Sequence, residues 1–502
     1  MSGSVSLPPE AAPGTTLPGI PRQRTAPSWA ESDPTDELAR SIDDFVAAAV
    51  HPDEIAALLE SDGLSDAQIR ERHGVSDSFA LAEKLYDRVP RRHPEPDTPP
   101  HDPWRTALLP CLLRGILFAL PGLAYVLGAP LLAGPPDPLG LPTGTLTLLT
   151  GALCGWTWNQ GLAHRAYTWL GLGDRTAARR ALLLGTPTGA LLGTLAALAV
   201  SDTPTATAFA AAQSCYLGAS SVLLVMGRER ALLAALSPMT AGALVALVHP
   251  VPEPASLTLL LTSLTAVATL AFVEVAPAVA PRKGRGAVSD RRLPPRGRDQ
   301  PPRRRTRPTA PSNEPQLINS LPYALFGLAT GILVVHAALT DLLTGQPHPT
   351  VALTLSMGPA EWLLYRFRSR ALTALRTTGT AAAFRRATAG TLAACLTGYL
   401  ATLLALALTL AALWPHAPDL TPVRLAGLLL LGAVLWTGLL LQSFGAVLAA
   451  AAVCCVAALA QTLALLTHTA DPHRIAVAVL GAAAVAQTAL VRARTGRATA
   501  HR

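Results

Sequence analysis

Twelve stretches of roughly twenty apolar residues, parted by short polar breaks, fill the chain after position 105. A helix needs about 20 residues to cross about 30 Å of hydrocarbon, and in lipid every backbone polar group must be bonded inside its own helix. The stretches run over roughly 106–128, 144–163, 181–200, 205–227, 231–249, 255–277, 317–340, 349–366, 388–413, 422–441, 446–467 and 474–491. The break at Gln442-Ser443-Phe444-Gly445 is the weakest, and without it the count falls to eleven. The expected fold is an all-α polytopic membrane protein of about 12 transmembrane helices. Charge content agrees: 14% of residues are charged, against about 25% in soluble domains.

Basic residues set the expected orientation. With the amino terminus inside, the loops on the cytoplasmic side hold Arg165, Arg175, Arg179, Arg180, Arg228 and Arg230. A long central loop adds ten Arg and one Lys, and Arg366, Arg368, Arg370, Arg376, Arg385 and Arg386 follow. The opposite loops hold only Arg424 and Arg474, so the ratio is 23 to 2. Such a bias orients membrane proteins. It places both termini in the cytoplasm and the protein in the cell membrane as a multi-pass chain. It also accounts for the pI near 9.5 without nucleic acid, and membrane lipids are the expected surroundings.

The chain reads as two similar halves. GALCGWTWNQGLAHRAYTWLGLGDRTAARR (151–180) returns in altered form as GPAEWLLYRFRSRALTALRTTGTAAAFRR (358–386). A shift of 206 lays Trp156 on Trp362, Gly173 on Gly379 and Arg179-Arg180 on Arg385-Arg386. Leu109-Pro110 and Gly115 match Leu321-Pro322 and Gly327 at a shift of 212, and a shorter outer loop (341–348 against 129–143) absorbs the difference. Since six is even, both halves start on the same side, which makes parallel repeats, whose substrate sites lie between the halves.

The expected organisation is a disordered tail over 1–34, a small acidic helical module over 35–90, a Pro/His-rich linker over 91–105 and a first six-helix lobe over 106–280. A basic Pro/Arg-rich cytoplasmic linker over 281–315, a second six-helix lobe over 316–492 and a cytoplasmic tail over 493–502 complete it. Residues 1–105 hold 19 acidic against 10 basic residues. In the module, Ser65 is the expected N-cap of one short helix, Gly74 its stop and Ser76 the next cap. The outline resembles a helix-turn-helix, but the second helix presents Asp77, Glu83 and Asp87 against Lys84 and Arg88. Phosphates would repel that surface, so nucleic acid is not an expected partner, and a protein partner for 35–90 is. The 281–315 linker could be drawn to anionic headgroups.

Residues 162–185, LAHRAYTWLGLGDRTAARRALLLG, and 369–390, SRALTALRTTGTAAAFRRATAG, join the second and third helices of each half. With the 6+6 organisation, these loops resemble the multidrug/oligosaccharidyl-lipid/polysaccharide exporter superfamily, flippases and drug exporters of two six-helix lobes. The resemblance implies alternating access by rocking of the lobes, often on a lipid-linked saccharide bearing a negatively charged diphosphate. The major facilitator superfamily is the second resemblance, through Gly171, Asp174-Arg175 and Arg179-Arg180. Its spacing here is one residue too long, and Thr380-Ala381 stand where an Asp-Arg pair would be.

The few polar residues at depth are the candidates for a substrate path. Arg114 lies about 12 Å along the first segment at 1.5 Å per residue; arginine at such depth usually faces a cavity, where it could grip a phosphate, or snorkels to the cytoplasmic interface. Glu361 sits in the same half of the eighth segment, in the opposite lobe, so the two could pair as an inner gate. Trp156, Trp158 and Trp362 lie toward the inner end, where tryptophan anchors or lines a sugar path. Asn159 and Gln160 could bond a glycan or a neighbouring helix. His336, with Asp341 nearby, could relay protons or pack. The cytoplasmic-loop motif comprises Asp174, Arg175, Arg179, Arg180, Arg385 and Arg386.

No metal spacing, nucleophile motif or phosphate loop is present, so no cofactor and no enzymatic activity are expected. Polar residues at depth are few, which keeps a non-transporting scaffold of an envelope-assembly or division complex as the alternative to a transporter.

Overall fold

In the computed structural model, residues 33–90, 92, 102–132, 134–135, 140–201, 203–279, 316–343, 348–413, 421–467 and 471–501 are described. The expected disordered tail up to position 32 and the whole of the basic linker over 281–315 lie outside these residues. The chain forms two compact units, Met1–His101 and Asp102–Arg502.

The first unit has five short helices: α1 (Pro34–Ser41), α2 (Asp43–Ala48), α3 (Pro52–Ser61), α4 (Asp66–His73) and α5 (Ser78–Arg88). They close over a core of Val46, Ile55, Leu59, Ile69, Leu81 and Leu85, all fully buried. Ser65 caps α4 in a reciprocal box with Gln68, which satisfies two amide donors that the first turn leaves free. Gly74 ends α4 at φ +67°, a left-handed position that favours glycine. The next cap is Asp77 rather than Ser76. Its carboxylate accepts from the Ala80 amide at 2.9 Å, while the Ser76 hydroxyl donates to that carboxylate at 2.8 Å. Those two bonds hold the Asp77 carboxyl below its usual range. A carboxylate serves the first-turn amides better than a hydroxyl because it also meets the positive end of the helix dipole.

The second unit is the membrane part. Its first half contains α6 (Leu108–Ala119), continued through a tight turn into α7 (Leu123–Gly128), then α8 (Thr145–Gly171), α9 (Arg175–Leu198), α10 (Pro204–Val225), α11 (Glu229–Ala246) and α12 (Glu253–Val275). Its second half contains α13 (Leu321–Leu343), α14 (His348–Leu355), α15 (Met357–Thr377), α16 (Ala381–Leu413), α17 (Pro422–Ser443), α18 (Val447–Thr467) and α19 (Pro472–Thr495). Each of the twelve apolar stretches is helical, and among the described residues nine spans are long and apolar enough to cross a membrane. The remaining three are α8 and α14–α15, which carry polar and charged residues along their length, and α11, which opens on Glu229 and Arg230. The chain is an all-α polytopic membrane protein. Helices α17 and α18 are separate, divided at Gly445 with φ +71°.

Helices overrun their expected bounds at both ends: α9 begins at Arg175 and α16 at Ala381, so Arg175, Arg179, Arg180, Arg385 and Arg386 of the expected loop motif stand on first helical turns. The second stretch continues to Gly171 and the eighth to Thr377, so Arg165, Arg366, Arg368, Arg370 and Arg376 stand on helix rather than in loop. Hydrophobicity marks where lipid ends, but a helix runs on until its backbone is stopped. The stops here are the Leu172-Gly173-Asp174 turn, with Gly173 at φ +77°, and Thr378-Gly379-Thr380. The eighth segment is also broken at Ser356, between α14 and α15.

Each half has its own buried core. One runs from Leu117 to Val275 through Leu182, Leu223, Leu232 and Leu236. The other runs from Phe326 to Val491 around Phe367, Tyr399 and Trp436. In the second core the Trp436 indole donates to the Ala360 carbonyl at 3.0 Å and stacks on Tyr399 at 6.3 Å. Among the described residues no fully buried apolar cluster spans both halves.

Candidate functional site

The halves meet at two crossings, each between the first helix of one half and the second helix of the other. At the first, α6 lies on α15. A side chain on Gly115 would place its Cβ 2.7 Å from the Gly358 Cα, and one on Gly358 would come 2.8 Å from the Cys111 carbonyl oxygen. These contacts are backbone on backbone, the close approach that small residues allow between membrane helices. At the second crossing α8 lies on α13. Gly327 receives the stem of Gln160 and the edge of Trp156, His164 stacks on Tyr323 with centroids 3.7 Å apart, and His164 Nδ1 meets Ser320 Oγ at 3.1 Å. The two crossings pair equivalent helices of the two halves, but their chemistry differs. The α8–α13 crossing is aromatic and amide-bearing; the α6–α15 crossing is ionic.

Arg114, on α6, is the centre of the ionic crossing. Its guanidinium bridges Glu229, at 2.6 Å on the first turn of α11, and Glu361 on α15. The three side chains are 31%, 27% and 22% exposed respectively, so the cluster is shielded from bulk solvent. Tyr365, one turn beyond Glu361, bonds to both Arg114 and Glu361. A planar guanidinium suits this position because its separate N–H groups can serve two carboxylates and a phenol at once. Arg114 and Glu361, placed at one depth in opposite halves, are in contact. Glu229 and Tyr365 complete the cluster. Glu229 is hidden in sequence between Arg228 and Arg230, where it reads as part of a basic loop.

The segment preceding α6 straps the same face. Trp104 stacks on Tyr365 at 6.3 Å, and the Arg368 guanidinium covers the Trp104 ring at 3.6 Å. Asp102 accepts from the Ser369 hydroxyl at 2.5 Å. Arg368 also donates to the Ser443 carbonyl at 3.2 Å, tying the strap to the end of α17. The result is a continuous ladder from the first half onto α15 of the second.

No family model and no curated protein matches the chain. A solved structure aligns with it. That structure is described as the outward-facing conformation of a multidrug resistance MATE family transporter of the MOP superfamily. Identity is 14%, the TM-score is 0.42, and the alignment covers 79% of this chain and 98% of that one.

The first-half copy of the loop motif is organised by a residue that the motif does not contain. Glu274, 7% exposed in the last turn of α12, accepts from Arg179 at 2.8 Å and from Arg228 at 2.9 Å, with Arg175 at 4.0 Å. Arg180 reaches the Ala278 carbonyl at 3.4 Å, and Asp174 caps α9 by accepting from the Ala177 amide at 2.8 Å. One carboxylate therefore joins the α8–α9 and α10–α11 connections to the end of α12. As the lone acid in LAFVEVAPA, Glu274 offered a signal, since a single carboxylate at the end of an apolar helix needs a cation. Glu274→Gln should lower the stability of the full chain by about 3 kcal/mol, because it leaves the partly buried Arg179 without its counter-charge. Arg175→Gln, at an exposed and distant partner, should cost at most about 0.5 kcal/mol. Thermal unfolding of both variants in detergent checks the contrast.

The remaining candidates are dispersed. Trp156 is 42% exposed at the α8–α13 crossing, and Asn159 is half-buried on the same helix. The Trp158 indole donates to the Gly185 carbonyl at 2.8 Å inside the first half. Trp362 lies under the Arg366 guanidinium at 4.9 Å. His336 is far from the charge cluster in its own half, with Gln461 at 3.3 Å and Thr462 at 3.4 Å; the side chain of Asp341 lies outside the described residues. Arg385 and Arg386 are exposed on the first turns of α16.

Proposed function

We propose that the chain is a membrane transporter that moves a lipid-linked saccharide or another amphiphile by alternating access, with the α6–α15 crossing as its inner gate. The observation that carries this reading is the Arg114–Glu229–Glu361 cluster, which joins helices of both halves. It sits on the end where the arginine-rich connections lie, the side expected in the cytoplasm. Separate cores let each half move as a body, and a gate of three charged groups has two arrangements, paired and hydrated, between which a substrate can bias the equilibrium.

Support for the substrate class is chemical. Trp156, Gln160, His164 and Tyr323 offer stacking faces and amide groups where the halves meet, the combination a saccharide uses. Proteoliposomes carrying the full chain should translocate a fluorescent lipid-linked oligosaccharide. The Arg114→Ala and Gly358→Val variants should lose at least about tenfold in rate, a barrier change of about 1.4 kcal/mol. Equal rates in protein-free liposomes and in all variants would leave the chain as a scaffold.

A further inference from the structure

The two copies of the loop motif differ in one respect that points to a ligand. Arg179-Arg180 and Arg385-Arg386 occupy matching positions at a shift of 206, each pair on the first turns of the third helix of its half. Each pair also faces the last turns of the sixth helix. In the first half those turns supply Glu274, which pairs with Arg179 and Arg228 and has Arg175 at 4.0 Å. In the second half α19 supplies Arg492 instead, and among the described residues no carboxylate is paired with Arg385, Arg386 or Arg492. The three arginines line a groove of about 550 Å³ between α16 and α19, with Ala382, Ala389 and Ala493 as its small walls. The stem of Arg385 lies against Gly496, where an added Cβ would be 3.3 Å from the Arg385 Cγ. The α16 amino terminus adds the positive end of a 33-residue helix.

We infer that this groove is a binding site for the phosphate of an anionic membrane lipid, which takes the place that the Glu274 carboxylate fills in the other half. Three guanidinium groups around one concavity match a phosphodiester in charge and in hydrogen-bond geometry. The surface beside it selects a lipid over a free phosphate. On α19, two turns from Arg492 toward the membrane centre and on the same helix face, Val485 is 72% exposed, an apolar surface along which an acyl chain can lie. The site lies at the end of the second half, away from the gate, and stands independently of the transport reading.

The test compares the full chain in nanodiscs of phosphatidylcholine alone and of phosphatidylcholine with phosphatidylglycerol. Wild type should unfold at a higher temperature in the anionic discs, as a ligand bound to the folded state requires. Native mass spectrometry should show a retained phosphatidylglycerol. The R385A/R386A/R492A variant should lose most of that thermal gain and retain the lipid about a hundredfold more weakly, at the strength expected of basic residues near an anionic headgroup. Arg492→Glu should rebuild the first-half arrangement: it should raise the unfolding temperature in neutral discs above wild type and abolish the response to phosphatidylglycerol. An undiminished response in both variants would overturn the site. A wild-type gain reproduced by inorganic phosphate in neutral discs would overturn the lipid and leave a phosphate site.

Discussion

Arg114→Ala should open the α6–α15 crossing, which we propose as the inner gate, more than any other single truncation in the membrane part. It leaves Glu229 and Glu361, 27% and 22% exposed, facing each other with no cation between them. Removing one member of a shielded ion cluster typically costs about 3–5 kcal/mol, most of it the penalty on the charges left behind. At about 1.4 kcal/mol per tenfold, the ratio of open to closed inner mouths should rise by a hundredfold or more. Glu361→Gln should cost less, since Arg114 keeps Glu229. Arg114→Glu should be worse than alanine, gathering three carboxylates, and combining it with Glu361→Arg should recover part of the loss by restoring one cross-half pair. Labelling from the basic-loop side of a cysteine placed at Gln160 reads these differences directly. Failure of the paired reversal to improve on Arg114→Glu would count against the gate.

Gly358→Val should have the second large effect, by sterics rather than charge. A Cβ at Gly358 would lie 2.8 Å from the Cys111 carbonyl oxygen and 3.0 Å from the Leu112 Cα, and a Cβ at Gly115 would lie 2.7 Å from the Gly358 backbone. Backbone atoms of two helices cannot turn aside as a side chain can, so α6 and α15 must separate. Overpacking of this kind costs about 1–3 kcal/mol, and separation also draws Arg114 away from Glu361. Gly390, with open space around it, provides the control: alanine there should be neutral or slightly stabilising, through the better helix propensity of alanine. Thermal unfolding and the same labelling assay distinguish the two outcomes.

Much of this architecture was legible because lipid imposes it. Each of the apolar stretches had to be helical, and each is. The depth of Arg114 and Glu361 in opposite halves, counted along helices of known rise, was enough to suggest that they could meet. What was not legible depends on contacts far apart in sequence. Glu229 lies between two arginines and gains a role only when α11 reaches α6. Glu274 is defined by cations 46 and 95 residues away. The overrun of α8 and α15 is invisible to hydropathy, which reports solvent rather than backbone, whereas helices stop at turn residues. The second cap falls on Asp77 rather than the expected Ser76, because it is the Asp77 carboxylate that reaches the Ala80 amide.

Two six-helix halves that rock about a charge-locked crossing should part at their arginine-rich end when the lock is broken. Spin labels at Thr176 and Thr380, both exposed, on the chain in nanodiscs with its native cysteines replaced, test it most directly. Wild type should show one dominant short separation, and Arg114→Ala should move the distribution to longer distances. Identical distributions in wild type, Arg114→Ala and Gly358→Val would contradict it.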